Sequence, residues 1–311
     1  MQLHRRHLLW GLAATAVAAP AILRAQAPDA PPASPRIAKI DVGRWAVTCI
    51  EDAMFRLPLD AFPGADPAVV GPLLEAAGLP AAGPLPAPVT LWLIERDGQR
   101  WLVDCGVGQR AQGPGGGLVR AWEQLGFGPE AINAIAFTHL HGDHCGGLID
   151  AEGKPVFPNA RIIVPARERD TWLSPAPADA PDALKRGIER ATAALAPYRA
   201  RMEMLEDAPF PAGMTPEAAN GHTPGHTHIL LEDEGERLLI TGDTIASAVL
   251  QFANPDQVFR NDFDPAAAAA TRRATLERAV RENLRLAGTH WAFPGLGFAE
   301  RDATGFRFRA G

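Results

Sequence analysis

From residue 37 onward the chain alternates short apolar runs, turn residues and segments of helical period. Ile37–Ile50 reads as an opening strand. Residues 54–87 are rich in Pro, Gly and Ala with scattered Phe and Leu, and they read as a long excursion holding one helix near Pro67–Ala77. An irregular segment of that length inside a domain usually serves a function, so it is expected to act as a lid over a pocket. The run VTLWLIERDGQRWLVDCG is two β-rich segments split by Asp97-Gly98, a pair that favours a tight hairpin. A helix over Leu118–Leu125 and a short apolar strand over Ile132–Phe137 follow. Beyond them the pattern predicts strand Arg161–Val164, helix Asp182–Ala194, strands Met202–Leu205, Thr227–Leu231 and Arg237–Ile240, and a final helix over Pro265–Leu284. Strands and helices alternate with no linker after residue 37, which predicts one α/β domain over 37–311.

The first segment stands apart. Arg5-Arg6 precede a Gly/Ala-rich apolar run that ends at Leu23, with no acidic residue, so residues 1–27 read as an export signal of twin-arginine type with cleavage near Ala25-Gln26-Ala27. Residues 28–36 form a Pro-rich arm. No later apolar stretch approaches the ~20 residues that span a bilayer, so a periplasmic protein without stable membrane insertion is expected. The chain has 30 basic and 36 acidic residues, and the leader holds three arginines and no acid, so the mature chain carries a net charge of −9. That balance disfavours nucleic acid as a partner and suits a small uncharged or cationic substrate. Cys49, Cys105 and Cys145 are an odd number for an exported protein; Cys49 and Cys105 end predicted strands and would bridge only if those strands are neighbours, and buried free thiols are the other reading.

Histidine placement carries the chemistry. Of nine histidines, His4 and His7 lie in the leader; the rest fall in three places, His139, His141 and His144, then His222, His226 and His228, then His290. His139 and His141 sit two apart at the end of an extended segment, so their rings point to one side. Asp143 and His144 follow the turn at Gly142, and Gly146-Gly147 let the next segment approach closely. One ion can be held by His139 and His141 and a second by Asp143 and His144, with further ligands presented by His226 at a Pro-Gly turn, Asp243 at a strand end and His290 after the last helix. Imidazoles and carboxylates suit zinc, iron, manganese or cobalt and not calcium.

The order HLHGDH, TPGHT, GDT and late GTH resembles the metallo-β-lactamase-fold metallohydrolases over most of residues 37–298. The resemblance implies an αββα sandwich with the site at one edge. It also implies that His139, His141 and His226 bind a first metal, that Asp143, His144 and His290 bind a second, and that Asp243 bridges the two. Two divalent ions, zinc above all, would then ionise a bridging water to hydroxide for attack on a carbonyl or phosphoryl centre, with Asp143 or Asp243 as proton carrier. Asp104 in LVDCG matches the family's Asp-x-Gly, which implies a role in orienting a ligand such as His139 or bracing its loop. His222 and His228 are unmatched to ligands, and Cys145 is expected to fill an apolar gap.

Asp243 stands where antibiotic-degrading lactamases usually have Cys or Ser, and Leu250-Gln251, Asn254-Pro255-Asp256, Asp262-Phe263-Asp264, Thr271-Arg272 and HWAFPGLG resemble the branch containing methyl parathion hydrolase and quorum-quenching lactonases. This implies hydrolysis of a neutral lactone or aryl ester, or of a phosphotriester, in a chain whose relatives often pair through the lid as homodimers. Pocket candidates are Phe55, Leu57, Phe62, Leu250, Phe252 and Phe298; Phe298 replaces a His common in relatives, and the only tyrosine, Tyr198, falls in or after a helix. The competing readings are a β-lactamase, a glyoxalase-type thioester hydrolase, a persulfide dioxygenase with one iron, and a catalytically idle metal-binding protein.

Overall fold

Side-chain alternation along the thirteen strands of the described residues explains why they form two sheets and how these face each other. The computed structural model describes residues 34–109 and 115–311; the leader and most of the Pro-rich arm lie outside them. The first sheet takes β1 (Ile37–Val42), β2 (Trp45–Leu57), β3 (Leu85–Arg96), β4 (Gln99–Val103), β5 (Ala134–Ala136), β6 (Arg161–Val164) and β7 (Met202–Met204) in chain order. Its first four strands are antiparallel and β4 to β7 are parallel. The second sheet contains β8 (Met214–Ala218), β9 (Thr227–Asp233), β10 (Glu236–Ile240), β11 (Arg285–Ala287), β12 (Leu296–Arg301) and β13 (Phe306–Ala310), again adjacent in chain order. Among the described residues there are seven α-helices: α1 (Pro67–Ala76), α2 (Gly117–Leu125), α3 (Gly142–Cys145), α4 (Ala166–Trp172), α5 (Asp182–Leu195), α6 (Ala248–Ala253) and α7 (Pro265–Glu282).

Trp45, Val47 and Cys49 of β2, Trp92 and Ile94 of β3 and Val103 of β4 point into one core with Ile229, Leu231, Leu238 and Ile240 of the second sheet. Their neighbours Leu91, Leu93, Leu102 and Ile135 point the other way, onto Leu118 and Ala121 of α2 and Ala191 and Leu195 of α5. Leu230, Leu239 and Leu286 likewise face Leu276 and Ala279 of α7. The period of two thus serves both faces of each sheet, and four layers, helix, sheet, sheet and helix, follow. Each fully buried leucine among them contributes about 1.5–3 kcal/mol of apolar transfer. This is the predicted αββα sandwich.

Three expectations change in detail. The opening strand is a hairpin: Gly43 has φ +56° and a side chain there would strike the Asp233 backbone, so β1 turns back onto β2. The excursion is shorter than 54–87, because β2 and β3 pair down to Leu57 and Leu85, leaving residues 58–84 with α1. Pro86 and Pro88 masked that strand. β4 pairs only with Trp92–Arg96, so the first half of β3 has one bare edge on which proline removes no ladder bond. Finally, Cys49 points between the sheets while Cys105 faces the helices, so the two cannot bridge; all three cysteines are free and buried. Asp97 and Gly98 both adopt positive φ, as their hairpin requires.

Candidate metal centre

Five strand ends and turns meet at one edge of the sandwich. β5 ends at Ala136 and delivers Thr138 and His139; His141 caps the single turn of α3, which presents Asp143 and His144. The β8–β9 connection carries His222 and His226, Asp243 follows β10, and His290 follows β11. Gly147 makes this convergence possible, since a side chain there would fall 2.0 Å from the Cys105 carbonyl oxygen.

Two groups of ligand-type atoms form, each with its members within 4.8 Å of one another: His139, His141, His222 and Asp243, and Asp143, His144, Asp243 and His290. In the first, His141 Nδ1 lies 3.0 Å from both His139 Nε2 and His222 Nε2, and Asp243 Oδ2 lies 3.4 Å from His222 Nε2. In the second, Asp243 Oδ1 is 3.2 Å from His144 Nε2 and its Oδ2 is 3.0 Å from His290 Nε2, with Asp143 Oδ2 3.5 Å from the same nitrogen. Asp243 belongs to both groups.

The outward-facing ring nitrogens are committed elsewhere. His144 Nδ1 meets Asp104 Oδ2 at 2.8 Å, His222 Nδ1 meets Asp262 Oδ1 at 3.0 Å, and His290 Nδ1 meets the Pro88 carbonyl at 2.8 Å. Thr138 Oγ1 donates to Asp104 Oδ2 and so accepts from His139 Nδ1, 3.1 Å away. Acceptors on that side hold a ring proton there and turn each Nε2 inward. Several ring nitrogens and a carboxylate then crowd one buried space, where His144 Nε2 and Asp243 Oδ1 find no hydrogen-bond partner. Such a set of nitrogen and oxygen donors fits divalent ions of the zinc type.

The charges agree with that fit. Burial holds the His139 imidazole well below its usual range, and burial with the neighbouring His222 pushes His141 down to about 3. Burial acts the same way on His144 and His290 but is outweighed. Asp243, Asp104 and Asp143 raise His144 well above its ordinary value, and Asp243 and Asp143 raise His290 to about 9. Asp243 is itself held well below the carboxylate range, because His290 and His144 outweigh its burial. Positive charge is stabilised where the second group converges.

One expected ligand lies elsewhere. His226 Nε2 accepts the Asp243 backbone N–H at 3.1 Å, so this ring braces the loop behind the site, and His222 occupies its place in the first group. The sequence presents two histidines four apart around Pro224-Gly225; the choice between them rests on Asp262, forty residues on, which turns His222 inward. Asp104 braces Thr138 directly and holds His144, touching His139 only through the threonine. Glu168 of α4 went unforeseen: one carboxylate oxygen accepts Leu140 N–H at 3.0 Å and the other Gly225 N–H at 2.7 Å, tying the two histidine loops together. Its position inside the charged run ARERD gives no hint of burial.

The remaining candidates are structural. The Cys145 thiol, raised by burial, points at the Leu140 carbonyl, and the Tyr198 hydroxyl donates to the Leu148 carbonyl away from the site. Phe252 packs on Trp291 and Phe308, Phe298 lies under Arg309 on β12, and Phe55 packs in the helix-side core. Leu57, Phe62 and Leu250 gather with Phe259 beneath the excursion, and Phe259 stacks on the His222 ring at 6.0 Å.

His228 makes a further prediction. Its buried ring meets Thr244 Oγ1 at 2.7 Å, and burial, aided by Arg278, pushes its pKa down to about 3. The unfolded chain takes up this proton near pH 6.5 and the folded chain does not, so stability falls as pH drops from about 6.5 towards 3, by up to about 1.4 kcal/mol per pH unit. In thermal melts of the metal-free protein across that window, His228→Gln should flatten the loss of Tm; an unchanged slope would refute this assignment.

Comparison with known proteins agrees with this architecture. A model of the Metallo-beta-lactamase superfamily matches residues 85–290. The structure superimposes on AidC, a dizinc quorum-quenching lactonase, with TM-score 0.83 and 26% identity, covering 89% of this chain and 98% of that one. It superimposes on AbOPH, a hydrolase in the beta lactamase superfamily, with TM-score 0.81 and 25% identity over 88% and 97%. A short segment is 43% identical over 56 residues to the anti-Pycsar protein Apyc1 of Saccharibacillus brassicae; the chain matches about a fifth of that relative's length, 19%.

Proposed function

Since the chain belongs to the metallo-beta-lactamase superfamily and is a metal-dependent hydrolase, we propose that it opens a neutral small-molecule lactone or cleaves an ester at a two-metal centre. The observation that carries this reading is Asp243, shared between two converging ligand groups. His139, His141, His222 and Asp243 would hold one ion, and Asp143, His144, His290 and Asp243 the other. Loaded with two divalent ions such as zinc, the site supplies water ionised near neutral pH and a Lewis acid for the substrate carbonyl oxygen.

The protein's own part is positioning and proton handling. Asp243 directs Oδ1 to His144 and Oδ2 to His222 and His290, so one carboxylate sets the spacing of both groups. Asp143, a quarter exposed, is the carboxylate on the open side and the one placed to hold a proton released by attacking water and return it to a leaving alkoxide. An acidic mature chain and an apolar excursion suit an uncharged substrate, and the likeness to AidC, a lactonase, supports lactones first. The reading includes export to the periplasm on the twin-arginine leader.

Metal content and initial rates on one mature preparation test the proposal, with an acyl-homoserine lactone, an aryl ester, a phosphotriester, a thioester and a β-lactam as substrates. Two metals per chain with lactone or ester turnover is the expected result; one iron with no hydrolysis, or β-lactam turnover alone, would replace it.

Residues 58–84 are assigned as the lid. Ala61, Phe62, Val70 and Leu74 pack on Leu250 and Phe259, and Phe259 covers His222, so the segment borders the first ligand group without contributing to it. Replacing residues 64–81 with a short Gly-Ser link should change the ratio of kcat/KM between short and long acyl chains by about tenfold or more and leave metal content unchanged. Loss of both metals would show the segment to be structural instead.

A further inference from the structure

Arg272 lies in the middle of α7, is 0% exposed, and has no part in either ligand group. A guanidinium is rarely buried unless acceptors surround it, and here they do. Nε donates to the Thr244 carbonyl at 2.7 Å, one terminal nitrogen donates to the Pro255 and Gln257 carbonyls at 2.8 and 3.0 Å, and the other reaches Asp262 Oδ2 at 3.2 Å. Asp262 in turn accepts Phe259 N–H at 3.2 Å and directs Oδ1 to His222 Nδ1 at 3.0 Å. Thr244 directly follows Asp243.

We propose that Arg272 is a positioning residue for the metal centre: through Asp262 it fixes the tautomer and aim of His222, and through the Thr244 carbonyl it fixes the loop that presents Asp243. Asp262 can aim His222 Nε2 into the ligand group only while its Oδ1 stays in one place opposite Nδ1. A buried carboxylate is held in place when a guanidinium is hydrogen-bonded to its other oxygen. Arg272 is that cation, and its remaining bonds go to backbone carbonyls, so its position does not depend on side-chain rotamers. The segments Asp262-Phe263-Asp264 and Thr271-Arg272 are thereby joined in one chain of contacts.

The inference rests on the two-metal reading above, and the test separates the two. Zn²⁺ affinity of the full mature chain is measured by competition with a chromophoric chelator, alongside the Tm of the metal-free protein. Asp262→Asn keeps the shape but can present an amide N–H to His222; it should weaken one of the two zinc ions by about ten- to hundredfold and the other far less. Arg272→Met should weaken the same ion at least as much and, because it also frees the Thr244 carbonyl beside the shared Asp243, weaken the other ion to a smaller degree; Arg272→Lys, which keeps the charge but not the fork, should recover part of the loss. If Arg272→Met does not fold, Asp262→Asn decides. Wild-type affinity for both ions in Asp262→Asn, or an equal loss at both with a lowered Tm, would overturn the positioning role and leave the hydrolase reading intact. A wild-type chain that takes up no zinc would overturn both.

Discussion

Asp243→Ala should lower kcat/KM for the preferred lactone or ester at least about a thousandfold, equivalent to about 4 kcal/mol of transition-state stabilisation, and reduce bound metal from two ions to one or none. The reason is that this carboxylate is the only side chain common to both ligand groups. Removing it takes a donor from each and leaves His144 and His290 without the negative charge that raises both. Asp243→Asn is the sharper control, because it keeps the volume and the backbone bond to His226 while removing the charge. If either variant retained two ions and near-normal turnover, the shared-carboxylate reading would fail. Metal analysis and steady-state rates on the same samples are sufficient to decide it.

His222→Ala and His226→Ala should behave differently, although the two residues lie four apart in one loop. His222 Nε2 belongs to the first ligand group, so its loss should remove one ion at ordinary metal concentrations and depress turnover by about two orders of magnitude or more. His226 accepts the Asp243 N–H, so its loss leaves that buried donor unpaired and should destabilise the fold by about 1–3 kcal/mol while two metals still bind. Denaturant unfolding and metal content, read together, separate a ligand from a brace. The opposite outcome, metal lost in His226→Ala and kept in His222→Ala, would restore the ligand set that the family resemblance implied.

That reversal shows where the sequence was sufficient and where it was not. Elements specified by local chemistry were legible: Asp97-Gly98 as a hairpin turn, Arg161–Val164 as a strand, and a helix over Asp182–Ala194 that the structure carries one residue further, to Leu195. HLHGDH was also legible, because its donors share one turn of chain and their convergence needs little from elsewhere. The choice between His222 and His226 was not. It depends on which ring finds an acceptor behind it, and those acceptors, Asp262 for one and Thr138 for a third histidine, lie in the loop before α7 and just after β5. Glu168 was invisible for a related reason: nothing in a charged run says that one carboxylate will turn inward to bind two loop N–H groups. β3 was obscured by Pro86 and Pro88, since the bare edge that tolerates them is a property of the sheet.

That bare edge also sets an order of assembly. Thr90 N–H bonds to the Thr289 carbonyl and the Pro88 carbonyl receives His290, so the segment carrying the last ligand docks on a strand made 202 residues earlier. Every other ligand lies at or before Asp243. A growing chain therefore holds a complete first ligand group while the second still lacks a member, and the rim of β3 stays open until β11 has been made. The contact that completes the centre is among the longest-range in the molecule, of the kind that chain folding reaches last.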